Sequence, residues 1–323
     1  LSLRREIAKY VGEFFEVDYD PRSEVLVTVG VSEALDIALR ALINPGDEVL
    51  YHEPCYVSYM PGIVMAHGTA VPVATRMRDD FALKPEALAK AITPRSRVLI
   101  LNFPTNPTGA VVSREDLAGI AKLCIEHDLI CITDEIYSEL RYDGEKHPSI
   151  ASLPGMRDRT ILLHGFSKAF AMTGFRLGYS CAPVPLTEAM MKIHQYSMLC
   201  APMPSQVAAI EALENGAPAV EEMRRAYERR RNVVVKRINE CGLSCHEPGG
   251  TFYVFPDIRG TGLSSKEFAL RLLKEEAVAV VPGDAFGPGG EGFVRCCFAA
   301  DPEQLNTALE RMASFVGRLE KAE

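Results

Sequence analysis

No stretch of the 323-residue chain stays apolar for the roughly 18 residues that a bilayer-spanning helix needs, which argues against a membrane protein. No charged leader followed by an apolar segment opens it, so no secretory signal is read. A surplus of positive charge is also lacking. The 35 Lys and Arg stand against 43 Asp and Glu, a net charge of -8, which argues against a nucleic-acid partner. The nine cysteines are odd in number and form no CxxC pair. Several fall inside apolar strand-like runs, so reduced buried thiols are expected rather than a disulfide framework or a zinc site. None of the seven histidines falls into HExxH spacing, and no metal is expected. Internal repeats and low-complexity segments are absent. No initiator Met and no capping signal precedes Leu1, so the chain is expected to begin partway into a larger protein. A cytoplasmic enzyme is the default expectation.

What is present is the balance of an ordinary globular protein, 47% hydrophobic and 24% charged, at a length that suits one large and one smaller domain. Residues 1–15 read as a helix with Leu3, Ile7, Tyr10, Val11 and Phe14 on one face. Short apolar runs at 25–29, 48–51, 69–73, 98–102, 129–133, 160–164 and 177–182 read as seven strands. Amphipathic segments lie between several of them, such as 33–42 and 114–127, the latter started by Ser113 with Asp116 three residues on. Strand and helix in alternation imply an α/β fold: a mostly parallel sheet covered by helices on both faces, in three layers. Ligands on such sheets gather at the carboxyl ends of the strands. Beyond Pro218 a long helix, 219–241, carries the stripe Val220, Met223, Tyr227, Val234 and Ile238. Its other side, with Glu221, Arg224, Arg225, Glu228, Arg229 and Arg231, reads as a solvated face of i,i+4 pairs. Strands at 252–255, 277–281 and 293–298 alternate with helices begun at Ser264, where Glu267 completes a capping box, and at Asp301-Pro302. The domains are therefore drawn as 1–218 and a smaller α+β unit, 219–323.

Several constellations carry chemistry. In Gly165-Phe166-Ser167-Lys168 a lysine stands on a loop after a buried strand, and Arg176 follows between Phe175 and Leu177. Burying an ammonium is costly unless it is paired or neutralised, whereas a lysine that forms an imine loses its permanent charge. The two cations suit an anionic ligand with a carbonyl at one end and a phosphate at the other; alternatively both lie on a surface turn. Thr28-Val29-Gly30-Val31-Ser32-Glu33 is a strand, a glycine turn and a helix start, whose N–H groups and serine hydroxyl would cradle a phosphate; equally, Ser32 would simply cap the helix. It lacks the later glycines of a dinucleotide fingerprint and the Gly-Lys-Ser/Thr of a P-loop. Asn106-Pro107-Thr108-Gly109 pins a tight loop that fixes an amide. Asp134 ends an apolar strand and needs a cation there, or else caps a helix. Arg295 is a lone guanidinium in an uncharged strand, suited to bidentate binding of a carboxylate. The glycine cluster at 283–292 reads as a loop.

Taken in order, Gly30, Tyr56, Asn106, Asp134, Tyr137, Lys168, Arg176 and Arg295 resemble the motifs of class I aminotransferases, the fold type I enzymes that depend on pyridoxal 5'-phosphate (PLP). The resemblance covers the whole chain and implies a seven-stranded fold type I sheet. It makes Lys168 the carrier of the cofactor as a Schiff base and the base and acid that moves the substrate's Cα proton. It assigns Val31, Ser32, Ser167 and Arg176 to the phosphate, Tyr56 to stacking on the pyridine ring and Asp134 to its nitrogen. Asn106 and Tyr137 go to the phenolic oxygen, and Asn106 and Arg295 to the substrate carboxylate. It implies transfer of an amino group between an L-amino acid and a 2-oxo acid, by a homodimer. Cys296-Cys297 departs from the family's usual residues after the arginine. Other outcomes compatible with the same motifs are a PLP-dependent carbon-sulfur β-lyase, a cyclopropane-forming synthase, and a non-catalytic PLP-binding regulator. An N-terminal arm and part of the small domain that family members carry would precede Leu1.

Overall fold

A computed structural model describes residues 1–319. From the N-terminus come α1 (Ser2–Phe15), β1 (Val25–Thr28), α2 (Gly30–Leu42), β2 (Glu48–Glu53), α3 (Tyr59–Met65), β3 (Thr69–Ala74), α4 (Pro85–Ala91), β4 (Ser96–Leu101), α5 (Arg114–Glu126) and β5 (Ile130–Asp134). There follow β6 (Thr160–Gly165), β7 (Gly178–Cys181), α6 (Val184–Ser197), α7 (Met203–Asn215), α8 (Ala217–Glu240), β8 (Tyr253–Val254), α9 (Ser265–Glu276), β9 (Val281–Pro282), β10 (Val294–Cys297) and α10 (Pro302–Leu319).

The first seven strands form one sheet in the order β1-β7-β6-β5-β4-β2-β3. Its pairs are parallel from β6 to β3, and β7 runs antiparallel to both its neighbours. This is the mostly parallel seven-stranded sheet anticipated from the alternating pattern. The interior strands β2, β6 and β7 are buried at every position, because helices cover both faces. The edge strand β3 is mostly exposed or half-buried and accommodates Pro72, which has no N–H to donate. Alternation sorts the side chains. Ile132, Ile161 and Leu163 pack with α2 and α3, whereas Cys131 and Leu162 point to the opposite layers. Asp134 therefore faces the side of α2 and α3, and Glu135 the other.

The anticipated helix starts hold: Ser113 accepts from the N–H of Asp116 at 3.0 Å, and Ser264 with Glu267 completes a capping box on α9. In α1 the buried face is Leu3, Ile7, Val11 and Phe15, with Tyr10 and Phe14 half-buried beside it. Three helices were not read from the sequence: α3, α4 and α6. Of these α3 and α4 have seven residues each, about two turns, and are held by tertiary packing rather than by a periodic pattern. A strand across 277–281 is not formed. Ala277 takes a left-handed conformation that ends α9, and only Val281–Pro282 pair with β10. Arg231 also departs from the reading of a wholly solvated helix face. It is 8% exposed, lies 5.0 Å from the Tyr142 ring and donates to the carbonyl of Pro248 at 3.0 Å. Elsewhere on that face two of the expected pairs form, Arg225–Glu221 and Arg224–Glu228.

Candidate active site

The carboxyl ends of β1, β2, β4, β5 and β6 open on one side of the sheet, around a cavity of about 540 Å³. After β1 the chain turns at Gly30 with φ +77° and enters α2. No side chain caps this helix, so Ser32 is not its cap, and Val31 and Ser32 present the helix end to the cavity. Gly30 is needed for space as well as for its conformation: a Cβ there would lie 2.9 Å from a guanidinium nitrogen of Arg176. Gly178 completes the fit, since its Cβ would lie 2.6 Å from the N–H nitrogen of Val31. Arg176 sits in the left-handed region at φ 50° and donates to the carbonyl of Thr173 at 3.1 Å. Arg176, the start of α2 and the residues Ser32 and Ser167 thus line one cavity, groups suited to an anion.

Asp134 lines the same cavity from the end of β5. Its carboxylate accepts from the Tyr59 hydroxyl at 2.8 Å and from the Ile136 N–H at 3.3 Å. Burial pushes its pKa up to about 6, against the opposing pull of those two donors. Among the described residues its carboxylate makes no ion pair, although the Lys168 ammonium feels its charge; the helix-capping alternative is likewise not realised, because residues 136–139 form a turn.

Lys168 lies on the lining between aromatic rings, its ammonium 5.9 Å from Tyr137 and 5.7 Å from Phe252. Burial, and then the cation of Arg295, push its pKa below the ordinary lysine value, which raises the neutral fraction available as nucleophile or base. Arg295 is reached from β10. It donates to Asn106 Oδ1 at 2.8 Å and is held between Tyr253 and Phe286, whose centroids lie 4.2 and 4.9 Å away. Its Nε is buried with no hydrogen-bond partner among the described residues. The Tyr137 hydroxyl donates to that of Tyr253 at 3.4 Å, and burial raises the pKa of both phenols. Tyr56 lines the same space, with Tyr59 edge-on at 5.6 Å.

Every site residue anticipated from the sequence therefore converges. Val31, Ser32, Tyr56, Asn106 and Asp134 line the cavity together with Tyr137, Ser167, Lys168, Arg176 and Arg295, and Gly30 lies beneath the Arg176 guanidinium. Sequence reasoning missed Tyr59, whose role appears only when α3 packs against β5, and Phe286, delivered by the glycine-rich loop. The loop expected there is instead built of two short 3-10 helices, Gly283–Phe286 and Pro288–Gly290. It is tied to the end of β2 by the Gly289 N–H, which donates to Glu53 Oε1 at 2.7 Å.

Residues 1–312 match the family described as Aminotransferase class I and II. The chain belongs to this family. It is 46% identical over 314 residues to aromatic-amino-acid aminotransferase 2 of Thermococcus litoralis, covering 97% of this chain and 81% of the relative. It is 47% identical over 313 residues to an aspartate aminotransferase of Pyrococcus abyssi, covering 96% and 80%. The crystal structure of an aromatic aminotransferase from Pyrococcus horikoshii superposes with a TM-score of 0.97 at 46% identity, covering 99% of this chain and 86% of that one. The protein is an aminotransferase of fold type I, an enzyme that moves an amino group between an amino acid and a 2-oxo acid with PLP, the cofactor of the family. The residues present fit that group. A buried carboxylate of raised pKa, a lysine of lowered pKa, and a tight glycine turn beside the Arg176 guanidinium stand around one cavity. Among the described residues no helix is long and apolar enough to cross a membrane.

Proposed function

We propose that Lys168 holds PLP covalently in this cavity and moves the substrate's Cα proton. Val31, Ser32, Ser167 and Arg176 would hold the phosphate, Asp134 the ring nitrogen, Tyr56 the ring face, and Asn106 and Tyr137 the phenolic oxygen. Bound there, PLP supplies an aldehyde for the amino group and an electron sink for the Cα–H bond. Asp134 keeps a proton on the ring nitrogen by offering an anion in a dry site, and Tyr59 holds that anion in place. Arg295, already fixed by Asn106 and two rings, takes the substrate carboxylate through its remaining donors and so aims Cα toward Lys168. The lowered pKa of Lys168 raises the neutral fraction of Nζ, the form that accepts the Cα proton and returns it. The observation that carries this reading is the meeting of Lys168, Asp134, Arg176 and Arg295 around one cavity. Lys168→Ala should abolish both the visible absorbance of the loaded protein and transamination. A variant that keeps a borohydride-reducible bond to PLP would defeat the assignment.

Leu35, Val57, Ile136, Val281 and Phe286 give much of the remaining lining an apolar or aromatic character beside the polar Asn102 and Thr173, which supports substrates with aromatic or branched aliphatic side chains. A panel of half-reactions in which aspartate outpaces phenylalanine and leucine would reverse that choice. We also propose a homodimer. Met60, Val64 and Met65 on α3 are 49%, 55% and 58% exposed, and Tyr196, Leu199, Met203 and Val207 near the α6–α7 junction are 88%, 77%, 65% and 63% exposed, a large apolar area for a free surface. Sedimentation equilibrium giving only monomer would refute it. Exposed thiols at Cys200 and Cys297 suit a cytoplasmic, reducing setting, and labelling that finds them oxidised in cells would count against it. The division into 1–218 and 219–323 is supported by a separate apolar cluster shared by α8, α9 and α10, and limited proteolysis that cuts elsewhere first would move it.

A further inference from the structure

We propose that Asn102 is a positioning residue that joins the two ends of the active site, the carboxylate end at Asn106 and Arg295 and the acid end at Asp134. The proposal rests on the reading of Arg295 and Asp134 given above. Asn102 directly follows β4, lines the cavity and is 1% exposed. Its four polar groups engage four different residues. The backbone N–H donates to His52 Nε2 at 3.2 Å, and the backbone carbonyl accepts from the Thr105 hydroxyl at 2.6 Å. The side-chain Oδ1 accepts from the Asn106 N–H at 3.2 Å, and Nδ2 donates to the Asp134 carbonyl at 2.9 Å. His52 can accept only as a neutral ring; burial lowers its pKa to about 4, and it stacks on Phe103 at 4.7 Å.

Since Asn106 Oδ1 accepts from Arg295 at 2.8 Å, three hydrogen bonds run without a break from Arg295 through Asn106 and Asn102 to Asp134. Asp134 is thus held twice: Tyr59 and the Ile136 N–H fix its carboxylate, and Asn102 fixes its backbone. The position requires an acceptor and a donor on one short planar group. Asp supplies the acceptor alone when ionised, Leu supplies neither, and Gln carries the amide one methylene too far. A buried partner left unsatisfied costs enough to displace it.

Two variants of the whole chain separate the arms. In Asn102→Asp the acceptor for Asn106 remains and the donor to Asp134 is lost. The dissociation constant for PLP, measured by fluorescence titration of the apoprotein, should rise about tenfold and kcat should fall about tenfold, with KM for the amino acid within about twofold of wild type. In Asn102→Leu both arms are lost, and KM should rise about tenfold as well. Wild-type PLP affinity and kcat in Asn102→Asp, or KM and kcat moving in equal proportion in that variant, would overturn the proposal. Asn102→Asp alone decides should Asn102→Leu not fold. A wild-type protein that takes up no PLP is a different outcome, and overturns the site assignment together with the positioning role.

Discussion

Asp134 and Glu135 are neighbours in the chain, both carboxylates and both buried, at 5% and 2% exposure, yet the strand end sends them to opposite faces of the sheet. Glu135 is matched entirely by its own fold. Its Oε1 accepts from the hydroxyls of Thr133 and Ser149, each at 2.9 Å, and its Oε2 pairs with His147. Its backbone N–H donates to the Leu163 carbonyl at 2.8 Å, locking β5 to β6. Among the described residues Asp134 accepts hydrogen bonds from Tyr59 and the Ile136 N–H, and burial still leaves it with a raised pKa. One carboxylate completes the structure; the other is held in a state that a cationic ligand would relieve. A buried carboxylate with a raised pKa on a cavity lining is a candidate functional group.

The largest break in this contrast is Asp134→Asn. It should reduce kcat about 10²- to 10³-fold, because the charge that stabilises the reacting state is gone, while thermal unfolding of the apoprotein shows no loss of stability. Glu135→Ala should do the reverse to stability. It strands His147, Ser149 and Thr133 without an acceptor, and unfolding in urea should show a loss of about 3 kcal/mol. Equal stability losses in the two variants would abolish the distinction.

The pH dependence sharpens it. The folded pKa of Asp134, about 6, lies above its ordinary value of 3.8. Its contribution to apoprotein stability is therefore present below pH 3.8 and lost as pH rises through about 6. PLP binding, which needs the anion, should run the other way and weaken about tenfold for each pH unit below about 6. Titration of the apoprotein should show this slope in wild type and not in Asp134→Asn. The smallest effect is expected from Tyr59→Phe. Removing a donor to the carboxylate raises the Asp134 pKa further, so the midpoint of the PLP-binding profile should move up by about one unit with a few-fold loss of kcat. An unmoved midpoint would leave Tyr59 as packing alone.

Much of this was legible in the chain because the active-site motifs are local. Lys168 and Arg176 lie in one segment, Asn106 sits in a proline-pinned loop, and Asp134 ends an apolar run, so each is visible without knowing its neighbours. Tyr59 was not. It belongs to a seven-residue helix without a strong periodic signal, and its hydroxyl matters only because α3 lies against the end of β5, 75 residues away in sequence. The short second sheet was overread. Residues 277–281 look like a strand by composition, but a left-handed Ala277 ends α9 and uses up the segment's length before pairing begins at Val281. Arg231 was read as solvated because helical periodicity places it on the charged face, and the Tyr142 ring and Pro248 carbonyl that bury it come from distant loops.

By itself the sequence determined the alternation of strand and helix, the parallel sheet that follows from it, and the chemical types required at the strand ends, since apolar periodicity and the cost of burying charge act on neighbouring residues. Only the tertiary structure decided which charges are left for a ligand and which the fold satisfies. Whether a buried carboxylate meets His147 or Tyr59 depends on which face it turns to and which distant segment covers that face, and distances through space are not written in the spacing along the chain.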